Sequence, residues 1–322
     1  MIDTKEIVND IRIAIKNGHK KILFDNIAEG TYFDIIRKIH RIIKLVDDSS
    51  VEYYYLCSSY NSDQAYMTYC EKHNINPVLK MIKVNYFEMV EKAYLEQYLI
   101  ENPKKTITYE IKNKSKIFNC FNKAPRQHRV EIFYNILRDG YLDKTYSSFQ
   151  FGKEIADHYI DKEIRKMYVK HSNIFPLLLG MSSERPNPVD VRDGDFLYHN
   201  DSYFSLVTET LFYKNFSSSE NCVFLTEKTF RPIIHKHPFI IVGSTGCLAY
   251  LKKYGYKTFA PFIDESYDSI IDDEQRLNAI WKEVVRLSNF SNEEWLEWQQ
   301  NVASIVEHNY DVIMNKNYTI LE

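Results

Sequence analysis

The chain has 322 residues, of which 44% are hydrophobic and 26% charged, ordinary values for a globular protein and a length sufficient for two domains. Its formal net charge is −3, from 41 basic and 44 acidic residues, so its overall charge does not favour a polyanion-binding protein. It has five scattered cysteines: Cys57, Cys70, Cys120, Cys222 and Cys247. None of them belongs to a C-x-x-C pair, which disfavours a zinc site or a disulfide framework.

Targeting and membrane signals are weak in this sequence. The longest apolar runs, 175–181 and 238–243, are too short to span a bilayer, and the first residues carry charge where a signal peptide needs an apolar core. The bias towards Lys, Asn, Ile and Tyr is typical of an AT-rich genome, such as that of a virus or an AT-rich bacterium. We therefore expect a soluble protein of a reducing cytoplasm, the host cytoplasm if the chain is viral.

Strand and helix patterns alternate over the first third of the chain. Strands are predicted over 21–24, 51–56 and 78–84, and a loop is predicted over 25–30. Helices are predicted over 31–45 and 62–73. This βαβ order predicts a parallel sheet.

A second series of strands and helices begins after residues 101–105, where Pro and Lys residues break the pattern. We therefore expect an N-terminal domain at 1–112 and a C-terminal domain at 113–322. Strands are predicted over 116–121, 204–207, 223–225 and 239–242, and helices over 127–138, from about 228, and from 272 to the end. Residues 182–194 predict a loop, and Pro232 predicts a kinked or short helix.

The first candidate site lies between the 116–121 strand and the 127–138 helix. Such a junction presents free backbone N–H groups and the positive end of the helix dipole. Arg126 and Arg129 are three residues apart and share one face of the first turn. Two guanidinium groups at this position suit a pyrophosphate, which each can bind through two oxygens. The alternative is a solvated, basic helix start.

The second candidate site lies where the 223–225 strand meets the next helix. Thr226 is expected to cap this helix, and Glu227 lies in its first turn, where a carboxylate is favoured. At the carboxyl edge of a sheet, where α/β proteins bind ligands, Glu227 is suited to accept from ribose hydroxyls and Lys228 to neutralise a phosphate. A capped helix with nearby charges is the plainer interpretation.

Three further features give weaker signals. Glu209 ends a predicted strand, a position where most glutamates are surface or capping groups. The small-residue turn 243–246 would allow a ligand to approach the backbone, but it matches neither a Gly-x-Gly-x-x-Gly nor a Walker motif. His235 and His237 have no evident acidic third ligand, so we expect helix-end residues and no metal.

Four of these segments occur in an order that resembles the α-1,3/4-fucosyltransferase family and its bacterial, phage and giant-virus relatives. The resemblance covers the donor-binding half of that family, over about residues 116–255 here. The segments are 122–129, in which Asn and Arg flank the helix start; 204–210, Phe-Ser-Leu-Val-Thr-Glu-Thr; 224–228, Phe-Leu-Thr-Glu-Lys; and 238–243, Pro-Phe-Ile-Ile-Val-Gly. No such match is evident in the N-terminal half.

The resemblance implies an α/β fold of the GT-B type, in which two Rossmann-like domains face each other across a cleft. It implies a nucleotide-sugar donor and no catalytic metal or other cofactor. Arg129 would hold the donor phosphates with help from Arg126, while Glu227 would bind the ribose and Lys228 a phosphate. Glu209 would lie near the donor sugar or support the site.

The resemblance also has a departure and a gap. Phe224 replaces the family's Tyr and so lacks one hydroxyl that is available there. An inverting transferase needs a base for the acceptor hydroxyl, which in the family is a carboxylate of the N-terminal domain. Glu29, after the first strand, is the first candidate here and Asp25 the second; a polar loop residue is the alternative for each.

The sequence thus predicts an inverting glycosyltransferase that uses a nucleoside-diphosphate sugar, with GDP the preferred nucleotide and fucose the first sugar by resemblance. The expected acceptor is a hydroxyl of a glycan, lipid or similar molecule. DNA with a modified base is the second possibility, because a cluster of basic residues would suit phosphates: Lys112, Lys114, Lys116, Lys123, Arg126 and Arg129. A non-catalytic nucleotide-binding module of the same fold is the third.

Overall fold

Helices and parallel strands alternate along the chain in the computed structural model, which describes residues 4–28, 33–149, 162–175, 177, 193–213 and 223–318. The strands are β1 (Lys21–Asn26), β2 (Glu52–Cys57), β3 (Leu79–Lys83), β4 (Lys116–Asn122), β5 (Thr145–Phe149), β6 (Ser202–Thr208) and β7 (Phe239–Val242). The helices are α1 (Thr4–Lys16), α2 (Phe33–Val46), α3 (Ser62–His73), α4 (Tyr86–Glu101), α5 (Gln127–Arg138), α6 (Lys162–Lys170), α7 (Asp193–Asn200), α8 (Glu227–Ile234), α9 (Cys247–Lys253), α10 (Asp273–Ser288) and α11 (Asn292–Asn315).

The first sheet is parallel and has the order β1-β2-β3. Tyr53, Tyr55 and Cys57 point from β2 into a core that α2 and α3 cover, with Ile36 and Tyr66 among its buried members. Side chains alternate between the two faces of a strand, so this pattern makes one face of the sheet a helix-covered core. The predicted βαβ organisation is confirmed.

The second sheet is also parallel, with the order β5-β4-β6-β7. Every residue of the central strand β6 and of the neighbouring edge strand β7 is buried, as expected where both faces of a parallel sheet are covered. The chain leaves β4 towards β5 on one side and returns to place β6 on the other side. The carboxyl ends of β4 and β6 therefore form a topological switch point, which is where open α/β sheets bind ligands.

Helix α4 follows the first sheet in the chain but packs on the second half. Its buried stripe includes Glu88, Glu91 and Leu95, and Leu95 belongs to the main core of the second half. Arg231 on α8 donates through Nη2 to Glu91 Oε1 at 3.2 Å, and Lys316 Nζ lies 2.7 Å from Glu88 Oε1. The helix thus precedes the domain boundary expected at residue 112 but packs on the second half. The predicted α/β chain with two parallel-sheet halves is confirmed.

Three local predictions differ from the structure. Residues 223–225 form no strand; Val223 exchanges hydrogen bonds with the first half instead, accepting from Tyr60 N at 3.0 Å and donating to Asn61 Oδ1 at 2.9 Å. This apolar run is buried by contacts between the halves, which local sequence cannot distinguish from burial in a sheet. Asp25 lies in β1 rather than in the following loop, and α7 begins at Asp193, inside the predicted loop 182–194, of which 182–192 lie outside the described residues.

Other features of the described chain follow expectation. Pro232 lies inside α8, which is short, with eight residues. Cys57, Cys70, Cys120 and Cys247 are buried free thiols, while Cys222 lies outside the described residues. None of the described helices is both long and apolar enough to cross a membrane.

Buried histidines cluster at the amino end of β6 and β7. His235 stacks on His199 at a centroid distance of 4.3 Å, and His237 Nε2 donates to Ser202 O at 2.8 Å. Burial, followed by the charge of His199, holds the pKa values of His235 and His237 well below the usual value. These two residues end α8 and lead into β7, as the sequence predicted.

We expect the free energy of unfolding to fall as the pH drops through about 6.5. A buried histidine with a depressed pKa stays neutral in the folded state, while the unfolded state binds a proton below about pH 6.5. Its contribution to stability is therefore complete above that pH, and up to about 1.4 kcal/mol per pH unit is lost below it. His235→Phe keeps an aromatic ring but cannot bind a proton. In urea unfolding experiments its free energy of unfolding should therefore depend less steeply on pH. Exposed His19→Gln is the control; equal slopes in both variants would contradict the assignment.

Candidate functional site

The carboxyl edge of the second sheet brings together the segments that the sequence singled out. β4 ends at Asn122 and β6 ends at Thr208, whose hydroxyl donates to the side-chain oxygen of Asn122. The chain after β4 leads directly into α5, and the chain after β6 begins with Glu209 and Thr210. The two segments therefore flank the switch point of the sheet.

Two arginines at the start of α5 tie these segments together. Arg126 Nη1 donates to Thr210 O at 3.1 Å, and Arg129 Nη2 donates to Thr208 O at 3.2 Å and to Glu209 O at 3.3 Å. Arg129 is 3% exposed, and this burial, together with the charge of Arg126, lowers the pKa of Arg129 to about 10. Nε of each arginine is buried and has no hydrogen-bond partner among the described residues. Both Nε–H groups are therefore donors that the described protein atoms leave unsatisfied, in positions closed to solvent.

Glu209 is the centre of the hydrogen-bond network at this edge. Its carboxylate is fully buried and accepts from Thr226 N at 2.9 Å, Thr226 Oγ1 at 2.7 Å, Thr229 Oγ1 at 2.6 Å and Thr210 N at 3.1 Å. A carboxylate offers about four acceptor sites, so the protein itself uses all of them. Glu209 therefore fastens the start of α8 to the end of β6.

The first turn of α8 carries the second predicted group of residues. Thr226 is the N-cap, and its hydroxyl accepts from Lys228 N at 3.4 Å, so the predicted cap is confirmed. Lys228 Nζ lies 2.6 Å from Glu227 Oε1 and 3.2 Å from Thr226 Oγ1. The side chain of Lys228 is 26% exposed and that of Glu227 is 34% exposed, so solvent reaches both.

The charge state of Glu227 follows from its neighbours. Burial acts to raise the pKa of its carboxyl group, but the charge and hydrogen bond of Lys228, with the charge of Arg231, outweigh burial and lower the pKa. Glu227 is consequently an ionised hydrogen-bond acceptor at neutral pH. The electrostatic attraction between Glu227 and Arg129 connects this turn with the start of α5.

Phe224 lies away from solvent at the interface between the halves. It is 2% exposed and packs edge-to-face on Phe87 of α4, with ring centroids 5.6 Å apart. Together with the bonds from Val223 to Tyr60 and Asn61, this contact brings the chain after β2 next to the start of α8. The carboxyl edges of the two sheets therefore face the same region.

Sequence analysis did not identify Arg276, which is 1% exposed on α10. Its guanidinium group donates to Gly243 O at 3.2 Å, Thr245 Oγ1 at 3.2 Å and Phe212 O at 2.9 Å, and it pairs with Asp273 Oδ1 at 2.6 Å. One side chain thus joins the segments that follow β6 and β7.

A sequence signal for Arg276 did exist. It begins a stripe at helical spacing that continues with Ile280, Val284 and Leu287, all of them buried. A lone arginine in such an apolar stripe has to find buried acceptors, because an unpaired buried charge is very costly. The same reasoning applies to Glu91, which shares a stripe of α4 with Leu95.

The small-residue turn after β7 is held to the start of α9 by Asp268. Asp268 accepts from Leu248 N and Ala249 N, both at 3.0 Å, so its carboxylate already occupies the first N–H groups of α9. Gly243 is required by close packing, since an added Cβ would lie 3.0 Å from Cys247 Sγ. Gly246 N also donates to Asp268 O at 3.0 Å, so Asp268 fixes the position of the turn at this edge.

The remaining residues considered in the sequence analysis lie elsewhere in the described structure or outside it. Glu29 lies outside the described residues. Asp25 is exposed on β1, where its Oδ1 accepts from Ile27 N at 3.0 Å. His235 and His237 lie near the opposite edge of the sheet, and no group of three His, Cys, Asp or Glu residues in the described part of the chain is arranged to hold a metal.

The basic cluster considered for DNA is divided between two edges. Lys114 and Lys116 lie at the amino end of β4, about 20 Å along the strand from Lys123 and the arginines. Lys114 Nζ donates to Asn200 O at 2.7 Å, and burial lowers its pKa to about 8. These residues do not form one continuous face.

Comparison with known proteins gives structural likenesses alone. No family model matches the chain, and no curated protein matches its sequence. A UDP-forming α,α-trehalose-phosphate synthase from Burkholderia xenovorans is similar with a TM-score of 0.48 and 10% identity, over 96% of this chain and 70% of that one. A second such synthase, from Burkholderia vietnamiensis, has a TM-score of 0.44 and 9% identity, over 92% of this chain and 64% of that one.

The Glu209 network predicts a specific sensitivity at Thr229. Thr229→Val preserves shape but removes one hydrogen bond to a buried carboxylate, which should lower the free energy of unfolding by about 1.5–3 kcal/mol. Urea unfolding of Thr229→Val and of the exposed control Thr106→Val measures the difference. A loss of similar size in the control would show that the carboxylate does not depend on this hydroxyl.

Proposed function

We propose that the chain is an inverting glycosyltransferase that uses a nucleoside-diphosphate sugar. In this proposal the donor binds at the carboxyl edge of the second sheet, and a hydroxyl of a glycan or similar acceptor approaches from the first half. The two halves then form a GT-B arrangement across a cleft. GDP is the preferred nucleotide and fucose the first sugar, on the basis of the resemblance in the motifs.

The observation that carries the proposal is a convergence of cations on the switch point. Arg126 and Arg129 lie at the start of α5 and Lys228 lies on α8. Hydrogen bonds through Glu209 and Thr226 connect Arg129 with Lys228, while Arg126 donates to the neighbouring Thr210 O. The buried Nε atoms of both arginines lack acceptors among the described residues. A diphosphate would supply acceptors of the right charge, since guanidinium groups bind phosphate oxygens strongly.

The chemistry of the transfer assigns the remaining roles. Negative charge accumulates on the departing nucleoside diphosphate, and fixed cations stabilise it without reorganisation. Lys228, paired with Glu227 here, would turn to a phosphate, leaving the Glu227 carboxylate to accept from ribose hydroxyls. Glu209 positions this turn and does not touch the donor, because its acceptor sites are occupied. Phe224 and Thr226 hold the same segment in place.

The base belongs to the first half in this proposal. Glu29 follows β1, close in sequence to the carboxyl edge at Asn26, and is the proposed acceptor of the hydroxyl proton. Asp25 is the second candidate, although its carboxylate lies on β1 and accepts from Ile27 N. In an inverting reaction one carboxylate removes this proton as the oxygen attacks the anomeric carbon.

A thermal-shift panel tests the donor site first. It contains GDP, UDP, ADP and CMP, UDP being the product named for the two similar structures. The matching nucleotide at about 100 times its dissociation constant should stabilise the protein by roughly 2.7 kcal/mol. We expect Arg126→Ala and Lys228→Ala to lose most of this stabilisation, because each removes a cation facing the diphosphate.

Arg138→Ala is the matched control, since it removes an arginine at the opposite end of the same helix. A selective nucleotide response that Arg138→Ala retains and the two site variants lose would support the proposal. A folded protein that responds to no nucleotide, or site variants that respond like the control, would overturn the donor site.

Turnover is tested separately by Glu29→Gln. Loss of a general base typically costs 10²- to 10⁴-fold in rate, roughly, so sugar transfer or donor hydrolysis should fall while nucleotide binding is retained. Asp25→Asn, assayed beside it by release of nucleoside diphosphate, distinguishes the two candidates. If the wild type binds a nucleotide but neither transfers nor hydrolyses any matching nucleotide sugar, the chain is instead the non-catalytic module.

A further inference from the structure

The outer edge of β1 is a second feature, of which the proposed function uses only Asp25, as the second candidate base. In the order β1-β2-β3, β1 has one strand neighbour among the described residues. Glu52 N donates to Lys20 O at 2.9 Å, so the backbone groups of Lys20 point towards β2. Since these groups alternate in direction along a strand, those of Lys21, Leu23 and Asp25 point outwards.

An outward-facing strand edge is a template for pairing with another strand. Natural proteins commonly protect such edges with a bulge, a proline, charged side chains or a covering segment, and of these β1 has the charges of Lys21 and Asp25. β1 contains neither proline nor glycine, and its residues pair regularly with β2 from Lys21↔Glu52 to Asn26↔Cys57. The backbone is therefore regular enough to accept a further strand.

The side chains along this edge have a symmetric pattern. Lys21, Leu23 and Asp25 lie on one face of the strand and are all exposed, and Leu23 is 55% exposed. Leu23 stands two residues from a positive charge on one side and two residues from a negative charge on the other. A two-fold axis at Leu23 would therefore place the positive charge of one copy opposite the negative charge of the other.

Two copies of β1 can pair in antiparallel orientation about a two-fold axis at Leu23. This pairing gives partners both to the outward backbone groups and to the charged side chains. Leu23 then faces Leu23 of the second copy, and Lys21 of each copy faces Asp25 of the other. These are the residues with outward-pointing N–H and C=O groups, so each opposite pair is a hydrogen-bonded pair of an antiparallel ladder. The contact is isologous, as closed two-fold dimers require.

We propose that β1 is a homodimer interface, through which the three-stranded sheets of two copies of this chain join into one six-stranded sheet. Asp25 Oδ1 accepts from Ile27 N, which leaves Oδ2 for Lys21 of the second copy. Lys21 Nζ lies 5.9 Å from the Tyr54 ring centroid and is attracted to Glu52, so these local contacts compete with the intermolecular pair. The interface is short, and the dimer is accordingly weak and depends on concentration.

A charge-swap cycle tests this interface in solution. Sedimentation velocity over a roughly hundredfold concentration range should show the wild type shifting from monomer to dimer. Lys21→Glu and Asp25→Lys each place like charges opposite each other at two symmetric positions, so each should weaken association about tenfold or more. The double variant Lys21→Glu/Asp25→Lys restores opposite charges and should recover association.

Two exposed residues elsewhere provide controls with the same change of net charge. Lys38→Glu on α2 and Asp10→Lys on α1 should dimerise like the wild type, and circular dichroism melting verifies that every variant is folded. A wild type that is monomeric throughout the range would overturn the proposal. So would a dimer that the single reversals do not weaken, or one that the swap does not restore, because another surface or partner strand would then be responsible.

Discussion

A single buried carboxylate, Glu209, determines how the carboxyl edge of the second sheet is arranged. Removing a carboxylate from water costs several kcal/mol unless its acceptor sites are filled. Donors from Thr210, Thr226 and Thr229 fill them here, and the carbonyl of the same residue receives Arg129 and also His128 Nε2 at 2.8 Å. The end of β6, the start of α5 and the start of α8 are thereby fixed to one point. A rearrangement of any one of them would leave a buried charge unsatisfied.

This constraint extends to the contact between the halves through α8. Glu209 holds the first turn of that helix, and the fully buried carboxylate of Glu91 on α4 holds Arg231 one turn further along. Glu227 and Lys228 lie between the two anchors. Moving α4 away from α8 would strip Glu91 of Arg231, which is strongly unfavourable for a buried pair. The position of the charged turn is consequently coupled to the packing of α4 through one short helix.

Local sequence was sufficient to predict helices and strands whose buried residues recur at the regular spacing of that element. The bounds of α3, α5 and β7 match their prediction, and the Thr226 cap is a contact between neighbours in sequence. It failed at 223–225, because this run is buried by Tyr60 and Asn61 of the other half. The motif resemblance located the edge of the sheet and its cations, but not the inward orientation of Glu209. That orientation depends on hydroxyls 17 and 20 residues away, which a strand pattern does not specify.

The lowered pKa of Arg129 shows that the fold holds this cation where its charge is disfavoured, a cost that a bound anion would reduce. At about 10 it remains protonated at neutral pH, so the folded protein keeps a cation in a place where burial disfavours it. Arg126 adds a second positive charge beside it, and carbonyl oxygens satisfy only part of each guanidinium group. A bound anion would offset both the repulsion and the lost hydration, and would raise the pKa of Arg129 again. By linkage, the same free energy stabilises the fold when the anion binds. If the proposed donor binds here, the unfavourable burial of this arginine would favour the anionic ligand over water at the switch point.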